Sequence, residues 1–177
     1  MKIEINEKGT PEFYKEVVCT TAQYARLVKN PEAKLVDSFK AIKTYIILCA
    51  VIFVLLIVMG IAWGMDLLTI VAIVMIGLAL ALSILQLTRL NKVVESMLNG
   101  PHDSIFTVDE EGVELEKVGS QLVRMSWNNV AFVRVFDESV CFFSKDVRGF
   151  VLALTKKYEK QVLDYIRENG INVRVIE

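Results

Sequence analysis

Three lysines, Lys156, Lys157 and Lys160, gather where an amphipathic helix is expected to begin, a cluster that could hold an anion. Cations at that end of a helix oppose its dipole. Either an anionic headgroup or an acidic partner offsets them, or they are simply solvated. Lys145 and Arg148 in the preceding loop could extend the patch. Other kinds of chemistry have little to work with. His102, the single histidine, stands beside Pro101 with no second histidine, and reads as a solvated linker residue rather than a base or a metal ligand. Asp109-Glu110-Glu111, closed by Gly112, lacks the spaced oxygen ligands of a calcium loop and reads as a turn. Cys19, Cys49 and Cys141 are far apart with no C-x-x-C pair, so buried free thiols are expected. No H-E-x-x-H, G-x-S-x-G or G-x-x-x-x-G-K-[ST] occurs. The expectation is a non-enzymatic protein with no metal and no cofactor. Trp127 is either an exposed aromatic anchor for a partner or a core residue that holds a sheet together.

What would position these residues follows from how charge is distributed. Residues 1–43 carry eight Lys/Arg and six Asp/Glu, residues 44–100 two of each sign, and residues 101–177 ten and thirteen. With a net charge of −1, no basic field points to nucleic acid. The apolar excess lies in the middle, too far along the chain for a cleaved signal. Between Thr44 and Thr88 the only charged side chain is Asp66, which leaves 22 residues on either side. About 20 apolar residues suffice to cross a bilayer core. Two spans, 44–65 and 67–88, are therefore expected, with Asp66 at the tip of their hairpin and Trp63 and Tyr45 suited to the interfaces. Gly60-x-x-x-Gly64 and Gly77-x-x-x-Ala81 allow close helix approach, either within the hairpin or between copies. Arg26, Lys29, Lys34, Lys40, Lys43, Arg89 and Lys92 flank the spans while the tip carries no cation, which places both termini in the cytoplasm. The apolar hairpin offers almost no polar lining for transport.

The arm before the hairpin opens with a short alternating strand at 2–6. Thr10-Pro11-Glu12 then starts a helix, and Asn30-Pro31-Glu32 repeats that signal ahead of a second helix carrying Leu35, Val36, Phe39 and Ile42. Residues 89–100 extend the second span to a break at Asn99-Gly100-Pro101. Residues 101–177 then read as about six short strands, at 104–108, 113–118, 121–127, 130–136, 140–144 and 150–154. Tyr158, Val162, Tyr165 and Ile166 mark one amphipathic helix closed by Asn169-Gly170, and 171–176 could add a strand. The fold class expected is α+β: a transmembrane hairpin, and a strand-rich small barrel or curved sheet closed by one carboxy-terminal helix. Residues 2–6 and the arm's helix would help to complete the small core of that domain.

The order of these segments, with FTVDEEGVELE, then MSWNNVAFVRVFDESVCFFS and FVLALTKKYEKQVLDYI, resembles the YcxB-like bacterial membrane proteins. Asp109, Gly112 and Val113, then Ser126 to Val130, Cys141-Phe142-Phe143 and Lys156-Lys157 carry the resemblance. Where that family often has a proline before the basic pair, Ala153-Leu154-Thr155 stands here. The resemblance implies a carboxy-terminal domain like a pleckstrin-homology (PH) barrel, and it implies no activity. Together these features give the expectation of an interaction or regulatory module on the bacterial cytoplasmic membrane. It would face the bilayer and a protein partner, with a protective (immunity-type) role as one version and a homo-oligomer as another option. The alternatives are a lipid-headgroup binder using Lys156, Lys157 and Lys160, or an accessory subunit of a larger membrane complex.

Overall fold

A computed structural model describes residues 1–5, 8–100, 103–117 and 122–177. The expected linker histidine, His102, and the ends of three expected strands, at 6, 118 and 121, lie outside the described residues. The chain divides into two compact units: residues 1–35 together with 96–177, and residues 36–95.

The first unit is built on two four-stranded sheets. In one, β1 (Lys2–Ile5), β2 (Ser104–Val108), β3 (Gly112–Lys117) and β4 (Leu122–Ser126) lie side by side, each antiparallel to the next. In the other the order is β7 (Val151–Thr155), β6 (Ser139–Ser144), β5 (Val130–Val135) and β8 (Val175–Ile176), with β8 parallel to β5. Among the described residues no strand is shared between the two sheets, so of the expected small barrel or curved sheet the closed barrel does not form. A 3₁₀ turn at Trp127–Asn129 separates β4 from β5. Among the described residues β1 and β7 are edge strands, and a cavity is lined by residues of both. The main core lies between the sheets, where Phe106, Val113, Val133 and Phe142 meet Val162 and Ile166 of α5 (Glu159–Glu168). That helix closes the domain as its spacing predicts.

The amino-terminal arm belongs to this unit. β1 adds to the sheet at β2, and the Met1 amino group donates to the Val108 carbonyl. Thr10 caps α1 (Pro11–Ala22), its hydroxyl accepting from the Phe13 amide at 3.1 Å. After a kink at Gln23, α2 (Tyr24–Lys29) lays Tyr24 and Leu27 on a second core with Phe132, Phe136, Cys141 and Phe143. Phe143 is the hub, 4.3 Å from the Phe132 ring centroid and 6.2 Å from that of Tyr24. Strand β6 is thus covered on both faces, and all six of its residues are buried.

The helix expected to start at Asn30-Pro31-Glu32 does not. Arg134 Nη1 donates to the carbonyls of Pro31 and Ala33, while Ala33 and Leu35 pack on the second core. Carbonyls held by a guanidinium are not free to start a helical ladder, and the helix waits until Asp37, whose carboxylate accepts from the Lys40 amide at 3.0 Å.

The second unit holds the two long apolar helices. α3 (Ser38–Trp63) ends at Gly64, whose φ of +94° suits glycine. Asp66 then caps α4 (Leu67–Asn99), accepting from the Thr69 amide at 2.8 Å. The aspartate therefore sits at the break between two helices. α4 runs on through the expected extension to Asn99, and its residues from Ser96 count with the first unit. Both helices are long and apolar enough to cross a membrane, and their large apolar side chains stand exposed along their length.

Candidate functional site

A cavity of about 520 Å³ lies within the first unit, where the arm meets the free edge of β7. Ile5, Phe13, Val17, Met97, Leu115 and Leu154 give it a mainly apolar wall. β1 pairing places Ile5, the cap at Thr10 sets the first turn of α1, and pairing with β6 presents β7. On this wall the Thr155 hydroxyl is buried without a hydrogen-bond partner. A smaller depression of about 190 Å³ shares Ile5, Gly9, Phe13 and Thr155 with the cavity. Among the described residues it adds Lys8, Lys156 and Lys157 together with Glu138.

The sequence-predicted lysines are brought together, but not onto one uniform patch. Lys156, Lys157 and Lys160 are exposed and share a second depression with Arg167, interleaved there with Glu159, Asp164 and Glu177. Arg167 is paired with Glu177 at 2.8 Å, and the Lys157 ammonium lies 4.7 Å from the Tyr158 ring centroid. Lys145 is engaged elsewhere, donating to the Asn128 carbonyl at 3.1 Å.

Trp127 is half-buried against the main core, 6.3 Å from the Phe142 ring centroid. Its indole N–H donates to the Asp109 carbonyl at 2.8 Å. The acidic turn beside it is closed by the Asp109 carboxylate, which accepts from the amides of Glu111 and Gly112, each at 2.8 Å. A side chain at 112 would lie 2.2 Å from the Met125 carbonyl oxygen, so only glycine fits. Among the hairpin residues, a Cβ on Gly60 would press on the Met65 side chain, and one on Gly77 would come within 3.3 Å of the Phe53 ring. Gly64 has nothing within 4 Å and serves the turn; Ala81 is exposed.

No protein-family model, curated protein or solved structure matches this chain. Among the described residues no group of three or more His, Cys, Asp or Glu is placed to hold a metal.

One polar cluster escaped the sequence reading. Glu16 of α1 reaches the start of β6, where its carboxylate accepts from the Ser139 hydroxyl at 2.6 Å and from the Glu138 amide at 3.1 Å. Burial raises the Glu16 pKa, the two hydrogen bonds oppose that rise, and the Asp137 and Glu138 charges add to it. An acid whose pKa is raised by folding stabilises most below its unfolded value, and that contribution is lost as pH rises through the folded value. Glu16→Gln, which can still accept from Ser139, is accordingly expected to raise the melting temperature at about pH 7 and to converge with wild type towards pH 4.5, the ordinary carboxyl value. Thermal melts across that range check this; a variant less stable at neutral pH would mean that the hydrogen bonds outweigh the burial.

The Cys141 thiol lies 3.3 Å from the Ser139 hydroxyl and is wholly buried, which pushes its pKa up to about 12. Thiolate is the reactive form. Cys141 should therefore resist iodoacetamide in the folded protein and react once denaturant is added, as peptide mass mapping would show.

Proposed function

We propose that this chain is a YcxB-like protein of the bacterial cytoplasmic membrane, with α3 and α4 as a two-span hairpin and the sheet domain as a cytoplasmic interaction or regulatory module. The observation that carries the reading is the contrast between the units. One packs two buried cores, and the other leaves residues such as Leu68 and Trp63 about 80% exposed, an arrangement suited to lipid rather than to water. Pairing of Lys2–Ile5 with Ser104–Val108 supports termini on one side, because ends held in one sheet require an even number of crossings between them. The cations flanking the spans favour the cytoplasmic side. A PH-like reading of the domain is supported by two antiparallel meanders closed by a single carboxy-terminal helix, though its sheets stay separate.

The partner we infer is a protein docked on the sheet domain, and a protective role that masks a membrane target is one form of this. Crosslinking of the full chain in native bacterial membranes, with mass spectrometry of what co-purifies, tests it. A second protein recovered in stoichiometric amount is expected; self-crosslinks alone, under several growth conditions, would sink the reading. The exposed lysines at 156, 157 and 160 favour a second reading, an anionic-lipid binder.

A further inference from the structure

Residues 30–37 carry two conflicting instructions. Locally they ask for a helix. Asn30 suits an N-cap, Pro31 the first helical position and Glu32 the first turn, and Ala33, Lys34 and Leu35 favour helix or tolerate it well. One turn does form, with the Ala33 amide donating to the Asn30 carbonyl at 3.0 Å. The ladder then stops, and α3 starts only at Ser38. To continue, the Pro31 carbonyl would accept from the Leu35 amide and the Ala33 carbonyl from the Asp37 amide. Those two carbonyls are the ones that Arg134 Nη1 engages, at 2.5 and 2.7 Å. The Arg134 guanidinium also lies 4.6 Å from the Phe136 ring centroid, and Arg174 pairs with Glu32 at 2.8 Å. Arg134 of β5 and Arg174 beside β8 thus hold the segment as a strap, with Ala33 and Leu35 packed on the second core. Natural sequences are largely consistent between local signal and final fold, and a segment that breaks the rule is where function is expected.

We propose that residues 30–37 are a two-state switch: a strap held by Arg134, as seen here, and a helical state in which α3 begins at Pro31. The unbroken helix carries Leu35, Val36, Phe39 and Ile42 on one stripe. Throwing the switch withdraws Ala33 and Leu35 from the second core. It also contracts residues 34–37 from at most about 3.3 Å each to about 1.5 Å each. The tether between α2 and α3 shortens by up to about 7 Å, which links the state of the second core to the start of the first apolar helix. Neither a protein partner nor a lipid is required, since both states are made by this chain's own residues.

The test is hydrogen exchange of the full chain in nanodiscs of neutral phosphatidylcholine, read at single residues by mass spectrometry. Arg134→Met keeps an apolar stem beside Phe136 and removes the donors. It should slow exchange at the Leu35 and Asp37 amides about tenfold relative to wild type, because both gain ladder partners. Adding Val36→Pro, which cannot sit in a helix interior, should cancel that gain. Asp37→Ala tests the switch with Arg134 intact and on an exposed side chain. It deletes the cap that accepts from the Lys40 amide in the strap state, a cap that the helical state does not use. Exchange should therefore slow at Leu35 while Lys40 stays protected. Exchange at Leu35 and Asp37 that is unchanged or faster in Arg134→Met, or protection that survives Val36→Pro, overturns the proposal. So does an Asp37→Ala chain in which Leu35 exchanges no more slowly than in wild type. If Arg134→Met loses its cooperative melt, Asp37→Ala decides.

Discussion

Residues 96–177 expressed alone are expected not to fold cooperatively, whereas residues 1–35 joined to 96–177 through a flexible Gly/Ser linker are expected to give a soluble, cooperatively melting domain. The arm contributes a whole edge strand to the first sheet and the cover of the second. Ile3, Val18 and Leu27 are all buried, and at about 1.5–3 kcal/mol each their loss removes roughly 5–9 kcal/mol. A domain's entire net stability is about 5–15 kcal/mol. Polar losses add to this, because Arg134 and the Ser144 carbonyl would lose the partners that residues 31, 33 and Tyr24 provide. Urea melts followed by near-ultraviolet circular dichroism check both halves. A sharp transition in the 96–177 fragment, matching that of the joined chain, would show the arm to be dispensable.

Phe143→Ala in the joined chain should be the most damaging single substitution in the second core, at about 3–5 kcal/mol, the range for a buried phenylalanine. The ring is wholly buried and touches three others, those of Tyr24, Phe132 and Phe136. Its truncation opens a space between β6 and the arm that the surrounding strands cannot collapse to fill. Phe143→Leu, which keeps most of the volume, should cost about 1 kcal/mol. With a slope of about 1–3 kcal/mol/M in urea, the alanine variant shifts the midpoint by more than 1 M. A loss below 1 kcal/mol would mean that the arm closes over the gap and does not depend on this ring.

Much of this architecture is written in local pattern. Asp66 breaks an apolar run in half and then caps the second helix, and Thr10-Pro11 starts α1 where its side chains say it should. The residues of β6, SVCFFS, show no alternation, which is what a strand buried on both faces requires; what covers the second face is not in the strand itself. Asn30-Pro31-Glu32 looks as good a helix start as Thr10-Pro11-Glu12. The difference between them is Arg134, distant in sequence, which holds the carbonyls of 31 and 33. Whether two sheets close into a barrel is likewise a matter of pairing between strands that no local signal brings together. For the candidate site, Lys156 and Lys157 are visible as a cluster because they are adjacent. Lys8 and the apolar wall come from separate segments that meet only through the pairing of β1 with β2 and the packing of α1.

A domain assembled from both ends of a chain also sets a timetable for its own birth. Residues 1–35 leave the ribosome long before their partners at 96–177, and at roughly 5–20 residues per second the interval until the last strand is made is on the order of ten seconds. Through that interval Ile3, Tyr24 and Leu27 have no core to enter, and the apolar helices emerge before any sheet can form. Synthesis of α3 and α4 therefore precedes completion of the domain, and a nascent chain stalled between them carries an exposed apolar arm that chaperones and proteases can read as unfinished.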